Sequence, residues 1–326
     1  MRYVEAGGER VSVIGLGAWQ FGSREWGYGS HYAEHEAIDI VHRALELGVN
    51  LVDTAEYYGF GRSERIVGRA IADRRAGVFV ASKIAPILPV RAIVPRRAAG
   101  SARRLGVDQI DLYQLHWPNP VVPLSEQMAA MKDVQRAGLI RQIGVSNYSL
   151  ERWKAAEGAL GGPVWSNQVH FNLVARHPLE AMTQWAADNG RVVIAYSPLA
   201  QGLLSARYDP DHRPTAMRAN STAFLPENLR RAVPLLTALR EIADHHEATP
   251  SQVALSWLVS HANVVAIPGA STVAQVVRNA EAADLELTAD ETHRLVSAAE
   301  SYHPLSKASA WPALLRTRIE GFARKR

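Results

Sequence analysis

The sequence predicts an α/β protein of the (β/α)8 barrel class with an N-terminal β-hairpin. Eight short apolar runs rich in Val, Ile and Leu alternate with segments whose apolar residues recur at spacings of three and four, as in helices. Strands of this kind are buried on both faces, which is typical of a parallel sheet with helical crossovers. Because eight such units follow one another over 326 residues without a break in composition, we expect a single barrel domain over residues 1–326.

The candidate strands are evenly distributed along the chain. They cover residues 11–16, 50–54, 78–82, 110–115, 140–145, 164–169, 192–196 and 264–267. Apolar spacing predicts intervening helices at residues 33–47, 124–136, 179–188 and 252–260. Gly48, Gly138 and Gly190 mark predicted helix ends, because glycine is common just after the last turn of a helix. Each is followed within a residue or two by a new apolar run, the start of the next strand.

Three segments fall outside this alternation. Residues 3–11 contain the pair Gly7-Gly8 and predict a hairpin that closes one end of the barrel. Residues 203–226 form a loop of mixed polarity, and a loop of this length inside a compact domain is uncommon unless it is functional. We therefore expect a lid over a ligand there, and a short helix at residues 311–322.

Composition and charge exclude several classes of function. The chain has no Cys, which excludes disulfides, Cys-ligated zinc and thiol nucleophiles. Its net charge is +4, but the most basic stretch, residues 96–104, is helix-like and lacks aromatic residues that could stack on bases, so we expect no nucleic-acid partner. No apolar run is long enough to span a membrane, and the charged N-terminus differs from a secretory signal, so a cytoplasmic protein is expected.

The histidines show no arrangement typical of a metal site. They include His31, His35, His245 and His246, and the last two are expected to be solvated near a helix end. The sequence therefore predicts no metal.

Polar side chains at the ends of the predicted strands are the candidates for chemistry. In barrel enzymes the reactive groups gather at the C-terminal ends of the strands. These residues are Asp53, Lys83, His116, Ser146, Asn147, Gln168 and Ser197. Tyr58 joins them because it lies five residues beyond Asp53, far enough for the loop to fold back over the strand.

These residue types suit proton transfer to a carbonyl oxygen. A phenol has an ordinary pKa of about 10, so Tyr58 needs a neighbour such as Lys83 that stabilises phenolate, and Asp53 would hold the ammonium group. His116 could orient a substrate carbonyl by a hydrogen bond. No side chain donates hydride, so a cofactor is required. Taken singly, Asp53 and Lys83 could be a structural ion pair and His116 a core histidine, but their combination at three neighbouring strand ends favours a site.

The Gly15-Leu16-Gly17 sequence is not a dinucleotide-binding fingerprint. That motif needs a third Gly and an immediate helix, whereas Trp19 and Gln20 follow here.

Instead, the chain resembles the aldo-keto reductase superfamily. Four of its residues match the catalytic tetrad of that family in order and local context: Asp53, Tyr58, Lys83 and His116. The resemblance extends over nearly the whole chain, near the branch that includes potassium-channel β-subunits. The matching motifs are Ile14-Gly15-Leu16-Gly17-Ala18-Trp19, Asp53-Thr54-Ala55, Ser82-Lys83, Asp111-Leu112-Tyr113-Gln114-Leu115-His116, Gly144-Val145-Ser146-Asn147, Tyr196-Ser197-Pro198-Leu199 and Gly269-Ala270-Ser271.

The resemblance also implies a nicotinamide cofactor and the residues that contact it. Ser146, Asn147 and Gln168 would hold the carboxamide, and Tyr196 would stack on the ring. The diphosphate would lie along residues 197–202 under Arg207. The implied contact residues are Trp19, Asp53, Ser146, Asn147, Gln168, Tyr196, Ser197, Leu199, Gly202, Arg207, Gly269, Ser271, Gln275 and Asn279.

The chain departs from the family pattern at three places near the cofactor. Ala18 replaces a common Thr, and Arg278 stands where Glu is usual. Gly269-Ala270-Ser271 lacks the basic residue with which many relatives bind the 2′-phosphate of NADPH. NADPH is nevertheless the expected cofactor, since Arg278 could supply that charge, and NADH is the less favoured alternative.

The predicted function is therefore the NADPH-dependent reduction of a small-molecule aldehyde or ketone. Aromatic residues in the loops at the predicted mouth favour hydrophobic substrates, and these are Trp19, Trp26, Tyr57 and Trp117. Two alternatives stay open: an aldolase in which Lys83 forms a Schiff base, and a regulatory or redox-sensing subunit that binds NADP(H) with little turnover. The sequence leaves the oligomeric state open.

Overall fold

An antiparallel hairpin of β1 (Tyr3–Ala6) and β2 (Glu9–Ser12) opens the chain. The computed structural model describes residues 1–23, 27–29, 33–176, 179–215, 218–219 and 221–305. The indole nitrogen of Trp165 donates to the carbonyl of Ala6 at 2.9 Å, and Arg141 forms an ion pair with Glu9 at 3.1 Å. Because Trp165 and Arg141 lie where barrel strands begin, the hairpin covers the N-terminal end of the barrel, as the sequence predicts.

Eight parallel strands form one curled sheet, and each pairs with its neighbours in chain order. They are β3 (Leu16–Gly17), β4 (Leu51–Asp53), β5 (Phe79–Ile84), β6 (Ile110–Leu115), β7 (Ile140–Ser146), β8 (Ser166–His170), β9 (Val192–Tyr196) and β10 (Val264–Ala266). The first and last strands also meet, because Gly17 donates its backbone N–H to the carbonyl of Pro268 at 3.1 Å and forms a parallel bridge with Gly269. The barrel prediction is confirmed.

Ten α-helices lie in the described parts of the chain, besides the short 3₁₀ helices Ala200–Ser205 and Thr222–Phe224. They are α1 (Glu34–Glu46), α2 (Arg62–Ile71), α3 (Val94–Leu105), α4 (Leu124–Arg136), α5 (Leu150–Leu160), α6 (Leu179–Asp188), α7 (Pro226–His245), α8 (Pro250–Val259), α9 (Val273–Glu281) and α10 (Ala289–Glu300). Eight of them alternate with the barrel strands, whereas α7 and α10 are additions to the simple barrel. They pack against each other, and α7 also packs against α8. Among the described residues, no helix combines the length and apolar character needed to cross a bilayer.

The first predicted strand, at residues 11–16, is wrong in its bounds. Val11 and Ser12 belong to hairpin strand β2. Pairing with the barrel begins after them, where Ile14 forms a parallel bridge with Ala266 on β10, and β3 itself covers Leu16–Gly17. The apolar run is continuous because both parts are buried, but the chain turns between them, where the Ser12 hydroxyl donates to the carbonyl of Ile14 at 2.7 Å. Periodicity cannot separate two buried strands that follow each other directly.

Other strands extend beyond their predicted ends. β5 continues to Ile84, so Lys83 lies inside the strand, and β7 includes Ser146. The predicted lid at residues 203–226 includes positions 216, 217 and 220, which lie outside the described residues, and it ends where α7 begins. The predicted helix at residues 311–322 also lies outside them.

We expect Gly17→Ala to destabilise the barrel at its closure. A Cβ on Gly17 would lie 2.7 Å from the backbone oxygen of Ile267, which belongs to the segment that seals the sheet. The backbone would have to move, so the free energy of unfolding should fall by about 1–3 kcal/mol. Urea unfolding measures the change.

The matched control is Gly158→Ala on α5, where the new Cβ would meet no atom within 4 Å. It should stabilise the protein slightly, because Ala is the better helix former. Equal effects of the two substitutions would contradict the close approach at Gly17.

Candidate active site

Three neighbouring strands bring the predicted acid, cation and imidazole to one side of the barrel mouth, the end at which the strands finish. Asp53 ends β4, Lys83 lies near the end of β5 and His116 follows β6. β5 pairs with both β4 and β6, so the three side chains are neighbours across the sheet. Tyr58 comes from the loop after β4, and its hydroxyl accepts a hydrogen bond from Lys83.

The ammonium group of Lys83 is fully buried and has three acceptors. It donates to Asp53 Oδ1 at 2.5 Å, to the carbonyl of Thr54 at 2.8 Å and to the Tyr58 hydroxyl at 3.2 Å. Three donors and three acceptors are the full complement of an ammonium ion. Burial alone would lower the pKa of Lys83, but the charge of Asp53 and the contact with Tyr58 outweigh it and raise that pKa. Lys83 is therefore held as a cation.

The second oxygen of Asp53 is held from across the barrel. Gln168 on β8 donates its side-chain N–H to Asp53 Oδ2 at 2.8 Å. The Ser146 hydroxyl, at the end of β7, donates to the backbone carbonyl of Gln168 at 2.9 Å. Hydrogen bonds thus run from Lys83 through Asp53 and Gln168 to Ser146, and they join the tetrad to the predicted carboxamide contacts.

Tyr58 stays protonated at neutral pH. Burial raises the pKa of the phenol and Asp53 raises it further, while the charge and hydrogen bond of Lys83 oppose the shift. The ring stacks with Trp19, with centroids 6.0 Å apart, and meets the edge of His116 at 5.7 Å. These contacts fix a neutral phenol beside a buried cation at the barrel mouth.

His116 is a neutral imidazole. Burial, assisted by the charge of Lys83, lowers its pKa to about 2. The ring stacks on Trp117 with centroids 3.6 Å apart, and Nδ1 is buried without a hydrogen-bond partner. A neutral imidazole carries one N–H, and placing it on Nε2 would leave Nδ1 unprotonated. His116 then has a single N–H to offer.

The polar groups on the other side of the mouth form a second network. Asn147 follows β7 in a left-handed conformation with φ of 62°. Its amide donates to the carbonyl of His116 at 3.2 Å and to the Ser146 hydroxyl at 3.0 Å, and its oxygen accepts from the Tyr196 hydroxyl at 3.0 Å. Hydroxyl and amide groups therefore converge beside an aromatic ring.

The segment after β9 has unusual backbone geometry. Ser197, Ala200, Gln201 and Gly202 have φ values of 49°, 47°, 58° and 103°. Within the segment, the backbone N–H of Ala200 donates to the carbonyl of Ser197 at 2.9 Å and that of Gly202 to the carbonyl of Leu199 at 2.8 Å. Backbone strain of this kind is concentrated at ligand sites. Leu199 lies within this segment. The guanidinium of Arg207 reaches to 3.9 Å from the position of a Cβ on Gly202, so a cation lies over the same stretch.

The predicted adenine-end residues lie in the loop after β10 and on α9. Gly269 and Ser271 follow β10, Gln275 lies in the first turn of α9, and Asn279 is buried two turns along. The backbone N–H of Ser271 donates to the Gln275 side chain at 2.8 Å. These four residues are thus placed on one connection at the rim of the barrel.

His170 and Asn172 lie beside Tyr196 and Ser197, and the sequence patterns do not identify either of them as a site residue. His170 stacks on Tyr196 with ring centroids 5.4 Å apart and 17° between planes. The Asn172 amide contacts His170 Nε2 at 3.1 Å and the carbonyl of Ser197 at 2.9 Å. Because alternate residues of a strand share a face, the position of His170 two residues after Gln168 could have identified it.

The structure describes three of the four aromatic residues predicted to line the mouth, and two of them stack on the tetrad, Trp19 on Tyr58 and Trp117 on His116. Trp19, Tyr57 and Trp117 are 48%, 59% and 40% exposed. Trp26 lies outside the described residues, as does His31. Of the other histidines, His35 contacts the neighbouring Glu36.

The family of the chain follows from comparison with known proteins. The profile of the aldo/keto reductase family matches residues 13–300. The chain belongs to the aldo/keto reductase family. This confirms the resemblance carried by the sequence motifs, and the protein is an oxidoreductase of this family.

Three similar proteins bear on its chemistry. An uncharacterized oxidoreductase of Mycobacterium tuberculosis is 52% identical over 320 residues, which cover 98% of this chain and 99% of that protein. An NADH-specific methylglyoxal reductase of Escherichia coli is 29% identical over 86% of this chain and 93% of its own length. The crystal structure of an aldo/keto reductase from Klebsiella pneumoniae in complex with NADP and acetate has a TM-score of 0.74 and 30% identity, covering 93% of this chain and 95% of that one.

We expect His116 to make the aldo/keto reductase sensitive to acid. The unfolded histidine takes up a proton below its ordinary pKa of 6.5, whereas the folded one resists protonation down to about pH 2. Stability is therefore lost as the pH falls below 6.5, by about 2 kcal/mol between pH 7 and 5. In His116→Asn this contribution is absent.

The readout is the difference between urea unfolding free energies at pH 7 and pH 5. Measuring a difference within each protein removes any general cost of the substitution, and the other histidines are common to both. The same pH dependence in both proteins would refute a buried neutral His116.

Proposed function

We propose that this aldo/keto reductase reduces an aldehyde or ketone to an alcohol with NADPH. When bound, NADPH would supply a hydride for the carbonyl carbon. Tyr58 donates its phenolic proton to the carbonyl oxygen. The products are an alcohol and NADP⁺, and Tyr58 recovers its proton from solvent. A small-molecule carbonyl compound is the substrate.

The observation that carries this proposal is the contact between Lys83 and Tyr58. A general acid must hold its proton at the working pH and release it when negative charge develops on the substrate oxygen. Burial keeps the Tyr58 proton in place, and the ammonium group 3.2 Å from the phenol stabilises the phenolate once the proton leaves. Asp53 holds Lys83 in position as a cation. His116, neutral and adjacent, donates its N–H to the carbonyl oxygen and orients it.

The residues opposite the tetrad have the chemistry that a nicotinamide cofactor requires. A carboxamide needs both donors and acceptors, which Ser146, Asn147 and Gln168 offer, and a planar ring needs a flat partner such as Tyr196. The strained segment at 197–202 has the guanidinium of Arg207 beside it, and this positive charge suits the diphosphate. We also propose that the described part of residues 203–226 acts as a lid over this site. Within it, the ring of Tyr208 packs against that of Phe224.

The aldolase alternative requires a different state of Lys83. Schiff-base formation needs a neutral amine, which enzymes obtain by lowering the lysine pKa. Here the pKa is raised and all three donors are engaged, which argues against nucleophilic attack. Borohydride with a carbonyl substrate should therefore leave Lys83 unlabelled.

Tyr58→Phe should abolish turnover without affecting cofactor binding. Loss of the phenolic proton removes general acid catalysis, so NADPH oxidation with 4-nitrobenzaldehyde should slow by about 10²- to 10⁴-fold. Fluorescence titration should give an unchanged Kd for NADPH. Tyr57→Phe is the matched control, because it removes the neighbouring hydroxyl from a side chain that does not contact Lys83, and it should retain activity.

Wild-type protein that binds NADPH but turns over no carbonyl compound would favour the regulatory or redox-sensing alternative. Protein that binds neither NADPH nor NADH would refute both. Full activity in Tyr58→Phe would remove Tyr58 as the proton donor.

We expect tighter binding of NADPH than of NADH, with Arg278 as the cause. NADP is present in the Klebsiella relative, whereas the Escherichia relative is NADH-specific, so the family accommodates both. Arg278 is exposed near the end of α9, on the helix that carries Gln275 and Asn279. A charge-assisted hydrogen bond to the 2′-phosphate stabilises binding by about 1.5–3 kcal/mol, so Arg278→Ala should raise the Kd for NADPH about tenfold or more.

The Kd for NADH should not change, because NADH lacks that phosphate. Arg103→Ala on α3 removes the same charge from an exposed helix position away from this connection, and should change neither Kd. Equal weakening of both cofactors in Arg278→Ala would count against the assignment.

A further inference from the structure

The end of α7 and the start of α10 bring two histidines and a glutamate together, outside the barrel mouth. His245 ends α7, His246 follows it, and Glu291 lies in the first turn of α10. The sequence leaves these histidines as solvated side chains. In the structure both reach the same carboxylate: His245 Nδ1 lies 3.1 Å and His246 Nε2 lies 2.9 Å from Glu291 Oε1.

The distances from the two histidine nitrogens to Glu291 Oε1 are close to the ligand spacing around a single metal ion. The three atoms lie within 4.8 Å of one another. A tetrahedral zinc ion with ligand distances of about 2.0–2.2 Å holds its ligands about 3.3 Å apart. Small side-chain movements would therefore admit an ion. No other group of three such residues occurs in the part of the chain that the structure describes.

Hydrogen bonds from Thr288 hold the carboxylate of Glu291 in one orientation, as is typical of metal ligands. Its Oε2 accepts hydrogen bonds from the backbone N–H of Thr288 at 2.8 Å and from the Thr288 hydroxyl at 3.0 Å. His246 Nε2 lies 3.1 Å from Oε2 as well, whereas Oε1 contacts both histidines. The carboxylate is therefore oriented before any ion arrives.

The surrounding charges favour a cation. The C-terminal end of α7 carries the negative end of the helix dipole next to His245 and His246. The positive end of α10 is already capped by Thr288 and Glu291. Arg294, one turn along α10, forms an ion pair with Glu241 on α7, so its charge is compensated.

We propose that His245, His246 and Glu291 bind a divalent transition-metal ion of the zinc class, which fastens α7 to α10. Imidazole and carboxylate ligands suit such ions, and solvent would complete the coordination. The ion joins two helices that the simple barrel lacks, at a distance in sequence of 45 residues between His246 and Glu291. Its role is structural, and the proposal is independent of the reductase activity.

The test is isothermal titration of the full chain, freed of any affinity tag, with ZnCl₂ in a non-chelating buffer at pH 7.5. Wild-type protein should bind one ion in this site, and its thermal unfolding midpoint should rise by about 3–5 °C at a zinc concentration of about 100 times the Kd.

Two variants remove ligands with little risk to folding. Glu291→Gln retains the helix cap, since Gln also serves in a capping box, and His245→Ala alters a side chain that is 74% exposed.

Each variant should weaken zinc binding about tenfold or more and lose the thermal shift. His293→Ala is the matched control, because His293 is an exposed histidine on α10 outside the cluster, and it should behave as wild type. Zinc affinity and thermal shift that are the same in Glu291→Gln, His245→Ala and wild type would overturn the proposal. Absence of zinc binding in the wild-type protein would overturn it as well.

Discussion

The ion pair between Lys83 and Asp53 places a full charge where no water reaches it. Burying an ammonium ion costs several kcal/mol unless its partners are complete. Here Asp53, the Thr54 carbonyl and the Tyr58 hydroxyl complete them. Removing any one of these three acceptors leaves a buried charge or an N–H donor of Lys83 unsatisfied. The hydrogen bond to Tyr58 therefore stabilises the Lys83–Asp53 ion pair and holds Tyr58 in position. The phenol is thus part of a charge network rather than a separate side chain that swings into place.

The barrel supplies this network through strand order. Parallel pairing of β4, β5 and β6 sets Asp53, Lys83 and His116 side by side, and β7, β8 and β9 bring the amide and hydroxyl groups to the facing side. Gln168 joins the two sides by its hydrogen bond to Asp53. Because these residues lie on or next to strands, the proposed proton donor and cofactor contacts are organised before any loop closes.

Sequence patterns predict the barrel and its polar rim because six of the eight predicted strands have a polar residue at or next to their ends, and the C-terminal ends of barrel strands meet at one rim. Sequence patterns fail where one apolar run contains two successive strands, and where a contact depends on how separate strands or helices pack together. Val11 continues an apolar run that the chain divides between hairpin and barrel. The stacking of His170 on Tyr196 depends on the pairing of β8 with β9. The meeting of His246 with Glu291 depends on how α7 packs on α10, which local periodicity does not encode.

The most direct test of the account is the pH dependence of hydride transfer in a single turnover, compared between wild type and Lys83→Met. In the wild type, reduction should be constant through neutral pH and fall only at alkaline pH, because burial raises the pKa of Tyr58. Without Lys83, which lowers that pKa, transfer should slow by about 100-fold or more and its alkaline fall should move to higher pH. Identical profiles in the two proteins, or a wild-type rate controlled by an ionisation near pH 7, would contradict the assignment of Tyr58 and Lys83.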